Sequence, residues 1–279
     1  MPLRGAIAAA LTPLRGGAFD EDAVEPYVGF LEAGGLDGLL AMGTTGEGML
    51  FDLDERCEIA SAFVDAGRDR LQVAVHAGMQ STESTVALAE HAASIGADAV
   101  AVIPPPYFPL DDDALLAHLT AAARACAPVA FYVYEFERTS GYAVSRDVLE
   151  RLREAAPNLA GMKVSDTPWE SFARYLDVGL DVFVGPEGFI GRGLERGAVG
   201  AVSALASAFP ERVAAAVRER SDGLAELRAA VERFPRHAAL KHVAAGRGVP
   251  MTAEVRAPLR QLTAAEAASL EVALEPWSA

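Results

Sequence analysis

The chain has 279 residues, of which 51% are hydrophobic and 23% charged, and its formal net charge is −15. These proportions are typical of globular proteins, and no apolar run approaches the roughly 20 residues of a membrane-spanning helix, which argues against membrane and disordered proteins. The acidic excess opposes binding to nucleic acid and to anionic lipid, because both recruit clustered lysine and arginine.

Short runs rich in alanine, valine, isoleucine and leucine alternate with longer stretches of helical period along the first 204 residues. This alternation is the pattern of repeated strand–helix units around a parallel sheet. Most of the runs are continuously apolar, as expected for strands that are covered on both faces. The eight predicted strands are 5–13, 38–43, 71–78, 99–105, 129–136, 159–165, 181–185 and 199–204.

Two of the helices between these strands carry the signal of a capping box. Asp52 is followed three residues later by Glu55, and Thr167 is followed by Glu170, with Pro168 between them. In a capping box the first side chain accepts a hydrogen bond from the third helical N–H, and the third side chain bonds back to the first backbone N–H. The pattern therefore predicts helices that begin at residues 53 and 168.

Residues 209–279 contain three further helical patterns and no strand, with a break at 246–250. Eight strand–helix units followed by helices predict an α/β fold, a (β/α)8 TIM barrel over 1–208 with a C-terminal helical extension, 209–279, packed on it. The alternative is an open doubly wound sheet. It is disfavoured because LTPLRGG, not GxGxxG, follows the first strand and no GxxxxGK[ST] occurs. In a barrel, catalytic side chains come from the carboxyl ends of the strands.

Lysine is scarce, since only Lys163 and Lys241 among the 24 basic residues are lysines. Lys163 lies in LAGMKVSD, on the sixth predicted strand, among apolar and small residues. We expect its side chain to point into the barrel, where desolvation disfavours the ammonium form and leaves an amine able to attack a carbonyl. Lys163 is the candidate Schiff-base lysine, with a buried ion pair as the structural alternative. Lys241 is expected to be solvated or to pack between helices.

Other polar residues at strand ends could assist such an amine. Thr44 and Thr45 lie in AMGTTGEG, where glycines allow backbone N–H groups to approach a small carboxylate, although a purely structural turn has the same composition. Tyr132 and Tyr134 alternate onto one face of the fifth strand, which we expect to be the barrel interior. A phenol at position 134 could transfer protons during imine formation, and a packed tyrosine is the alternative.

The cysteines and histidines indicate neither a disulfide nor a metal site. Cys57 and Cys126 are far apart in sequence and lie in apolar helical stretches, which predicts buried thiols in a reduced, cytoplasmic protein. The five histidines form no HxH or HExxH spacing. We expect no metal and no nucleic acid partner.

Four short motifs together resemble the dihydrodipicolinate synthase/N-acetylneuraminate lyase family. They are GTTGE at 43–47, PPPYF at 104–108, the tyrosine that opens YEFERTSG at 134–141, and GMK at 161–163. The resemblance extends to LTP at 11–13, GAVSALASAFPE at 200–211 and VRAPL at 255–259, and so covers nearly the whole chain. It implies a (β/α)8 barrel, usually a tetramer built as a dimer of dimers. It also implies class I aldolase chemistry, in which a lysine forms a Schiff base with a 2-oxo acid, most often pyruvate.

The resemblance implies roles for individual residues. It implies no cofactor, because the lysine itself forms the covalent imine with the substrate. Lys163 would form the imine and Tyr134 would transfer protons. Thr44 and Thr45 would hold the carboxylate of the 2-oxo acid, with Thr45 also in the proton relay. Residues 200–203, which include Val202 and Ser203, would line the pocket.

The sequence departs from the synthases of lysine biosynthesis at two places. Their YNxPxRTG is YEFERTSG here, which puts Arg138 one place before the arginine that contacts the second substrate. Phe108 stands where the family offers a second relay tyrosine to the neighbouring subunit, and Tyr107 precedes it. We therefore predict a lyase acting on a small aldehyde or sugar acid, and a poor dihydrodipicolinate synthase. The alternatives are a true 4-hydroxy-tetrahydrodipicolinate synthase, a sialic-acid lyase, a 2-keto-3-deoxy sugar-acid aldolase or dehydratase, an aromatic hydratase–aldolase, and a 2-oxo acid-binding protein without turnover.

Overall fold

The barrel predicted from the apolar runs is closed in a computed structural model that describes residues 2–277. Its eight parallel strands pair in chain order. The first of them, β1 (Gly5–Ala9), pairs with both the second and the eighth strand of the barrel. Ile7 lies opposite Gly38 on one side and Val202 on the other. Closure of the sheet excludes the open doubly wound alternative.

Within the described range there are ten strands, of which β2 and β3 form a separate antiparallel hairpin. After β1 they are β2 (Leu14–Arg15), β3 (Ala18–Phe19), β4 (Gly38–Ala41), β5 (Gln72–His76), β6 (Ala99–Val102), β7 (Ala130–Glu135), β8 (Leu159–Val164), β9 (Asp181–Val184) and β10 (Gly200–Ser203). The α-helices are α1 (Val24–Ala33), α2 (Leu53–Gly67), α3 (Thr82–Ser94), α4 (Asp112–Ala125), α5 (Glu137–Ser140), α6 (Arg146–Ala155), α7 (Trp169–Ala173), α8 (Ile190–Glu195), α9 (Pro210–Glu219), α10 (Ala225–Glu232), α11 (Arg236–Gly246) and α12 (Ala264–Leu274).

Four α-helices follow β10 in residues 2–277, one more than the three that the sequence predicted. The first of them, α9, packs against α8 and β1, where the eighth helix of the barrel belongs. Helices α10, α11 and α12 pack on one another beyond it. The division of the chain at residue 208 stays a proposal. No helix in the described range is long and apolar enough to cross a membrane.

The two predicted capping boxes have different outcomes. At α2 the Asp52 side chain accepts from the Glu55 N–H at 2.9 Å, and the Glu55 carboxylate accepts from the Asp52 N–H at 3.0 Å, which confirms the prediction. The box at Thr167 is wrong, because α7 begins one residue later with Pro168 as its N-cap. A proline side chain has no hydrogen-bond acceptor, so this end of α7 has no side-chain cap.

Small residues inside the barrel leave room for a few large ones. The interior cluster includes Ala74, Ala99 and Ala101 beside Tyr132 and Phe183. A Cβ on Gly161 would lie 2.8 Å from the Tyr132 ring and 2.3 Å from the Asp181 carbonyl oxygen, so only glycine allows this approach. Gly161 and Lys163 are two residues apart on β8 and therefore share the inward face.

Candidate active site

A cavity opens at the carboxyl ends of the barrel strands. Tyr134 on β7 and Lys163 on β8 are directly opposite each other in the parallel ladder, so both side chains project into it. The lining residues are Ala9, Thr44, Thr45, Tyr134, Phe136, Lys163, Ser165, Gly185, Val202, Ala204, Arg228 and Arg236. Five residues expected from the sequence to form the site are therefore brought together.

Lys163, Tyr134 and Thr44 form a connected chain of polar groups. The Lys163 Nζ atom lies 3.6 Å from the centroid of the Tyr134 ring. The Tyr134 hydroxyl is 3.1 Å from the Thr44 Oγ1 atom, and either oxygen can donate the proton. The Tyr134 phenol is therefore placed to carry a proton between the Lys163 amine and the Thr44 hydroxyl.

The environment of Lys163 destabilises its ammonium form. Its side chain is only 7% exposed. Burial lowers the pKa of the Lys163 ammonium, and the positive charge of Arg236 acts in the same direction, against the opposing effects of Tyr134 and Glu187. Burial opposes ionisation of Tyr134, but the charge of Lys163 and the hydrogen bonds from Lys163, Thr44 and Ser165 outweigh it and lower the phenol pKa. Each group therefore acts on the pKa of the other, as expected for two groups that can exchange a proton.

The threonine turn is held rigidly from three sides. Thr12 donates from its hydroxyl to the Gly46 carbonyl at 2.6 Å, and the His237 ring lies 2.9 Å from the Thr44 carbonyl oxygen through Nε2. Gly48 approaches Met42 so closely that a Cβ would lie 1.8 Å from its carbonyl oxygen. The composition of AMGTTGEG therefore serves a tight turn as well as the cavity.

Lys241 is not solvated but fully buried beneath this turn. Its Nζ atom lies 2.6 Å from the Glu47 Oε1 atom and donates to the Glu254 carbonyl at 2.7 Å. The other oxygen of Glu47 accepts from the Arg256 N–H at 2.6 Å. Lys241 thus packs between helix and turn, one of the two expected arrangements, and its amine is engaged outside the cavity.

Three of the predicted site residues lie outside the cavity lining. Ser203 is buried on β10, where its hydroxyl donates to Glu187 at 2.8 Å instead of facing the cavity. Arg138 is exposed on α5. Tyr107 is 84% exposed on the loop after β6. Arg138, which is displaced relative to the family motif, is not among the residues that line the cavity.

Tyr107 has an unusual backbone conformation. Its φ angle is +83°, in the left-handed region that a bulky side chain rarely adopts. Its ring packs edge-on against the exposed Phe108 ring at 4.8 Å. A left-handed backbone at a bulky residue is strained, so the surrounding loop must hold Tyr107 in this conformation.

Two buried carboxyl groups lie behind the cavity, and burial raises the pKa of both. Glu135 follows Tyr134 on β7, and Asp166 follows Ser165. Burial, reinforced by the Asp166 charge and only partly opposed by the Val144 N–H, raises the pKa of Glu135 to about 8. Glu135 accepts from the Val144 N–H and Asp166 from the Glu137 N–H, both at 2.9 Å, so the pair fixes both ends of the α5 loop.

Substitution of Glu135 by glutamine is expected to stabilise the protein increasingly as the pH rises. The Glu135 side chain loses its proton near pH 4.5 in the unfolded chain and near pH 8 in the folded protein. Between these values the folded parent holds a proton that the unfolded chain has released, so its stability falls as the pH rises. Glutamine has no such proton to lose. The advantage should reach a few kcal/mol at most, which is several degrees in Tm.

Thermal unfolding from pH 5 to 9 measures this difference. The gain of the Glu135→Gln variant should grow across the range and level off above about pH 8. Glu137→Gln is the matched control, because Glu137 is half exposed and pairs with Arg174 at the surface. A gain that does not change with pH would mean that Glu135 is already ionised in the fold.

The chain matches one protein family along almost its entire length, the dihydrodipicolinate synthetase family, over residues 2–276. It is 35% identical over 271 residues to an uncharacterized DapA-like lyase of Halobacterium salinarum, covering 92% of this chain and 88% of that protein. It is 34% identical over 180 residues to N-acetylneuraminate lyase of Sus scrofa, covering 63% of this chain and 56% of that protein.

Solved structures show the same fold. N-acetylneuraminate lyase of Proteus mirabilis is 29% identical with a TM-score of 0.86, covering 98% of each chain. Dihydrodipicolinate synthase of Aquifex aeolicus has a TM-score of 0.91 at 22% identity, covering 99% of this chain and 98% of that one, and supports the fold alone. The family match includes every residue that lines the cavity.

Proposed function

The chain belongs to the dihydrodipicolinate synthetase family, and from that premise we propose that it is a class I lyase acting through an imine between Lys163 and a 2-oxo acid such as pyruvate. The observation that carries the proposal is the buried amine of Lys163, 3.6 Å from the Tyr134 ring, at the carboxyl ends of the strands. Related lyases named above support the reaction class.

The chemistry follows from these groups. The Lys163 amine attacks the C2 carbonyl of the 2-oxo acid and water leaves, which gives an iminium ion. The iminium withdraws electrons from C2, so that C3 loses a proton and the resulting enamine attacks the aldehyde carbon of the second substrate. Hydrolysis of the imine releases the product, and the reverse sequence cleaves it. No metal or cofactor is needed in this scheme, because the iminium itself accepts the electrons.

The remaining cavity residues have supporting roles in this scheme. Tyr134 transfers the protons of imine formation, and Thr44, whose hydroxyl is 3.1 Å from the Tyr134 oxygen, takes the relay role that the resemblance assigned to Thr45. The turn that contains Thr44 and Thr45 is placed to bind the carboxylate of the 2-oxo acid through its N–H and hydroxyl groups. Val202 shapes the wall of the cavity.

The protein is further proposed to be a cytoplasmic homo-oligomer, a tetramer built as a dimer of dimers. The strained, exposed Tyr107 and its exposed neighbour Phe108 support a contact of this loop with a second subunit. In that arrangement Tyr107 would supply the second relay phenol to the neighbouring cavity. The free thiols of Cys57 and Cys126 support a reducing compartment.

Borohydride reduction in the presence of pyruvate tests the imine directly. We expect one stable adduct, which peptide mapping places on Lys163, and we expect EDTA to leave its yield unchanged. Lys163→Arg should give no adduct, because a guanidinium does not form the imine. An adduct confined to Lys241, or none in the parent protein, would contradict the proposal. An adduct without turnover of any aldehyde would indicate a binding protein.

A further inference from the structure

Two arginines of the C-terminal helices face Lys163 across the cavity. Arg228 comes from α10 and Arg236 from the first turn of α11, and both line the cavity with the strand-end residues. Within residues 2–277 the lining includes three basic side chains and no acidic one. In a chain with a net charge of −15, a cavity with only basic charges favours an anionic ligand.

The two arginines differ in what occupies their donors. Arg228 forms an ion pair with the buried Glu187 and a second one with Glu232 at 2.9 Å. The carboxylate nearest to Arg236 is the same Glu232, at 3.6 Å, beyond hydrogen-bond distance. In the described part of the chain the Arg236 guanidinium makes no hydrogen bond. Apart from this loose ion pair with Glu232, the N–H donors of Arg236 are available to a ligand in the cavity.

The depth of each group indicates which part of the substrate meets Arg236. The Lys163 side chain is 7% exposed and Thr45 is similarly buried, so the imine and the 2-oxo acid occupy the deep end. The Arg236 side chain is 27% exposed and lies toward the mouth. A group bound there belongs to the end of the second substrate that is farthest from the new carbon–carbon bond.

Taking the proposed lyase reaction as its basis, we propose that Arg236 determines specificity for a second substrate with an acidic group, a carboxylate or a phosphate, at the end remote from its aldehyde. A planar guanidinium can bind either oxyanion through two parallel hydrogen bonds. His237, the next residue, contacts the Thr44 carbonyl oxygen at 2.9 Å, so the first turn of α11 is fixed relative to the deep end of the site. Arg236 thereby supplies the cation that the displaced Arg138 does not.

Paired aldehydes with pyruvate as the common donor test the proposal. Succinic semialdehyde is compared with butanal, and glyceraldehyde 3-phosphate with glyceraldehyde, so that the two pairs distinguish carboxylate from phosphate. The parent should favour the charged member of at least one pair in kcat/KM. In the Arg236→Gln variant that ratio should fall by about 10- to 100-fold, the usual effect of losing hydrogen bonds to a charged group, mainly through KM. Arg236→Lys should restore part of it.

Three comparisons make the outcome decisive. Arg233→Gln is the matched control, because Arg233 is an exposed arginine outside the cavity lining, and its ratio should equal that of the parent. Equal losses for charged and neutral aldehydes would overturn the proposal and assign Arg236 to the donor or to the lysine. Calorimetric titration with glutarate measures whether Arg236 binds a carboxylate, and it does so even if pyruvate forms no adduct with the parent. Binding that is at least tenfold tighter to the parent than to Arg236→Gln supports the proposal, and equal binding refutes it.

Discussion

Substitution of Lys163 by arginine is expected to lower turnover by about 10⁴-fold or more, the scale seen when a covalent nucleophile is removed. A guanidinium keeps the positive charge but stays protonated at all accessible pH values, so it cannot attack the carbonyl of the 2-oxo acid. The second lysine cannot replace it, because the Lys241 amine is held by Glu47 and Glu254 outside the cavity. In the Lys163→Arg variant, both steady-state turnover and borohydride trapping of pyruvate should therefore be lost.

A fold control accompanies this variant. Arginine is larger than lysine at a position that is only 7% exposed, so Lys163→Met is included as an unbranched, uncharged replacement. Its Tm should equal or exceed that of the parent, since it removes the cost of burying an amine. Turnover above about 1% of the parent in a folded Lys163→Met protein would rule out the imine mechanism, because the reaction would then proceed without the covalent intermediate.

Substitution of Tyr134 by phenylalanine is expected to lower kcat by roughly 10² to 10⁴, the usual contribution of a positioned acid–base group. The change removes only the hydroxyl that lies 3.1 Å from Thr44 Oγ1. The ring contacts with His76 at 5.9 Å and Phe136 at 6.4 Å remain, so the fold should survive. The loss should appear both in turnover and in the rate of adduct formation with pyruvate.

Tyr132→Phe is the matched control for this prediction. Tyr132 lies two residues earlier on the same face of β7, but its hydroxyl accepts a hydrogen bond from the Leu3 N–H at 2.9 Å, inside the barrel and outside the cavity lining. This variant should lose about 1 kcal/mol of stability and little turnover. If both variants lose turnover equally, Tyr134 acts by packing and not by proton transfer.

Much of the site could be predicted because strand ends are local features of a sequence. A continuous apolar run marks a buried strand, and its last polar residue marks the cavity, which located Thr44, Thr45, Tyr134 and Lys163. Strand alternation likewise predicted the inward face of Tyr132, which the interior cluster confirms. The roles assigned to these residues stay predictions.

The predictions that failed concerned the residue at which a helix begins and the partner of a side chain. The type of each of these elements was predicted correctly. The Thr167 capping box required α7 to begin at Pro168, yet packing of the Trp169 ring against Phe172 at 5.4 Å and Phe189 at 5.5 Å accompanies a start at Trp169. Ser203 lies on a strand end as predicted, but the buried Glu187 engages its hydroxyl.

Sequence alone determined the barrel, its strand ends and the scarcity of amines, because hydrophobic periodicity and residue counts need no knowledge of distant neighbours. Only the tertiary structure decided that Arg228 and Arg236 enter the cavity and that Lys241 pairs with Glu47. These contacts join residues about 70 to 200 positions apart, and they depend on the angle at which α10 and α11 pack on the barrel. That angle is set by the fit of many side chains at once, for which no local pattern in the chain gives a signal.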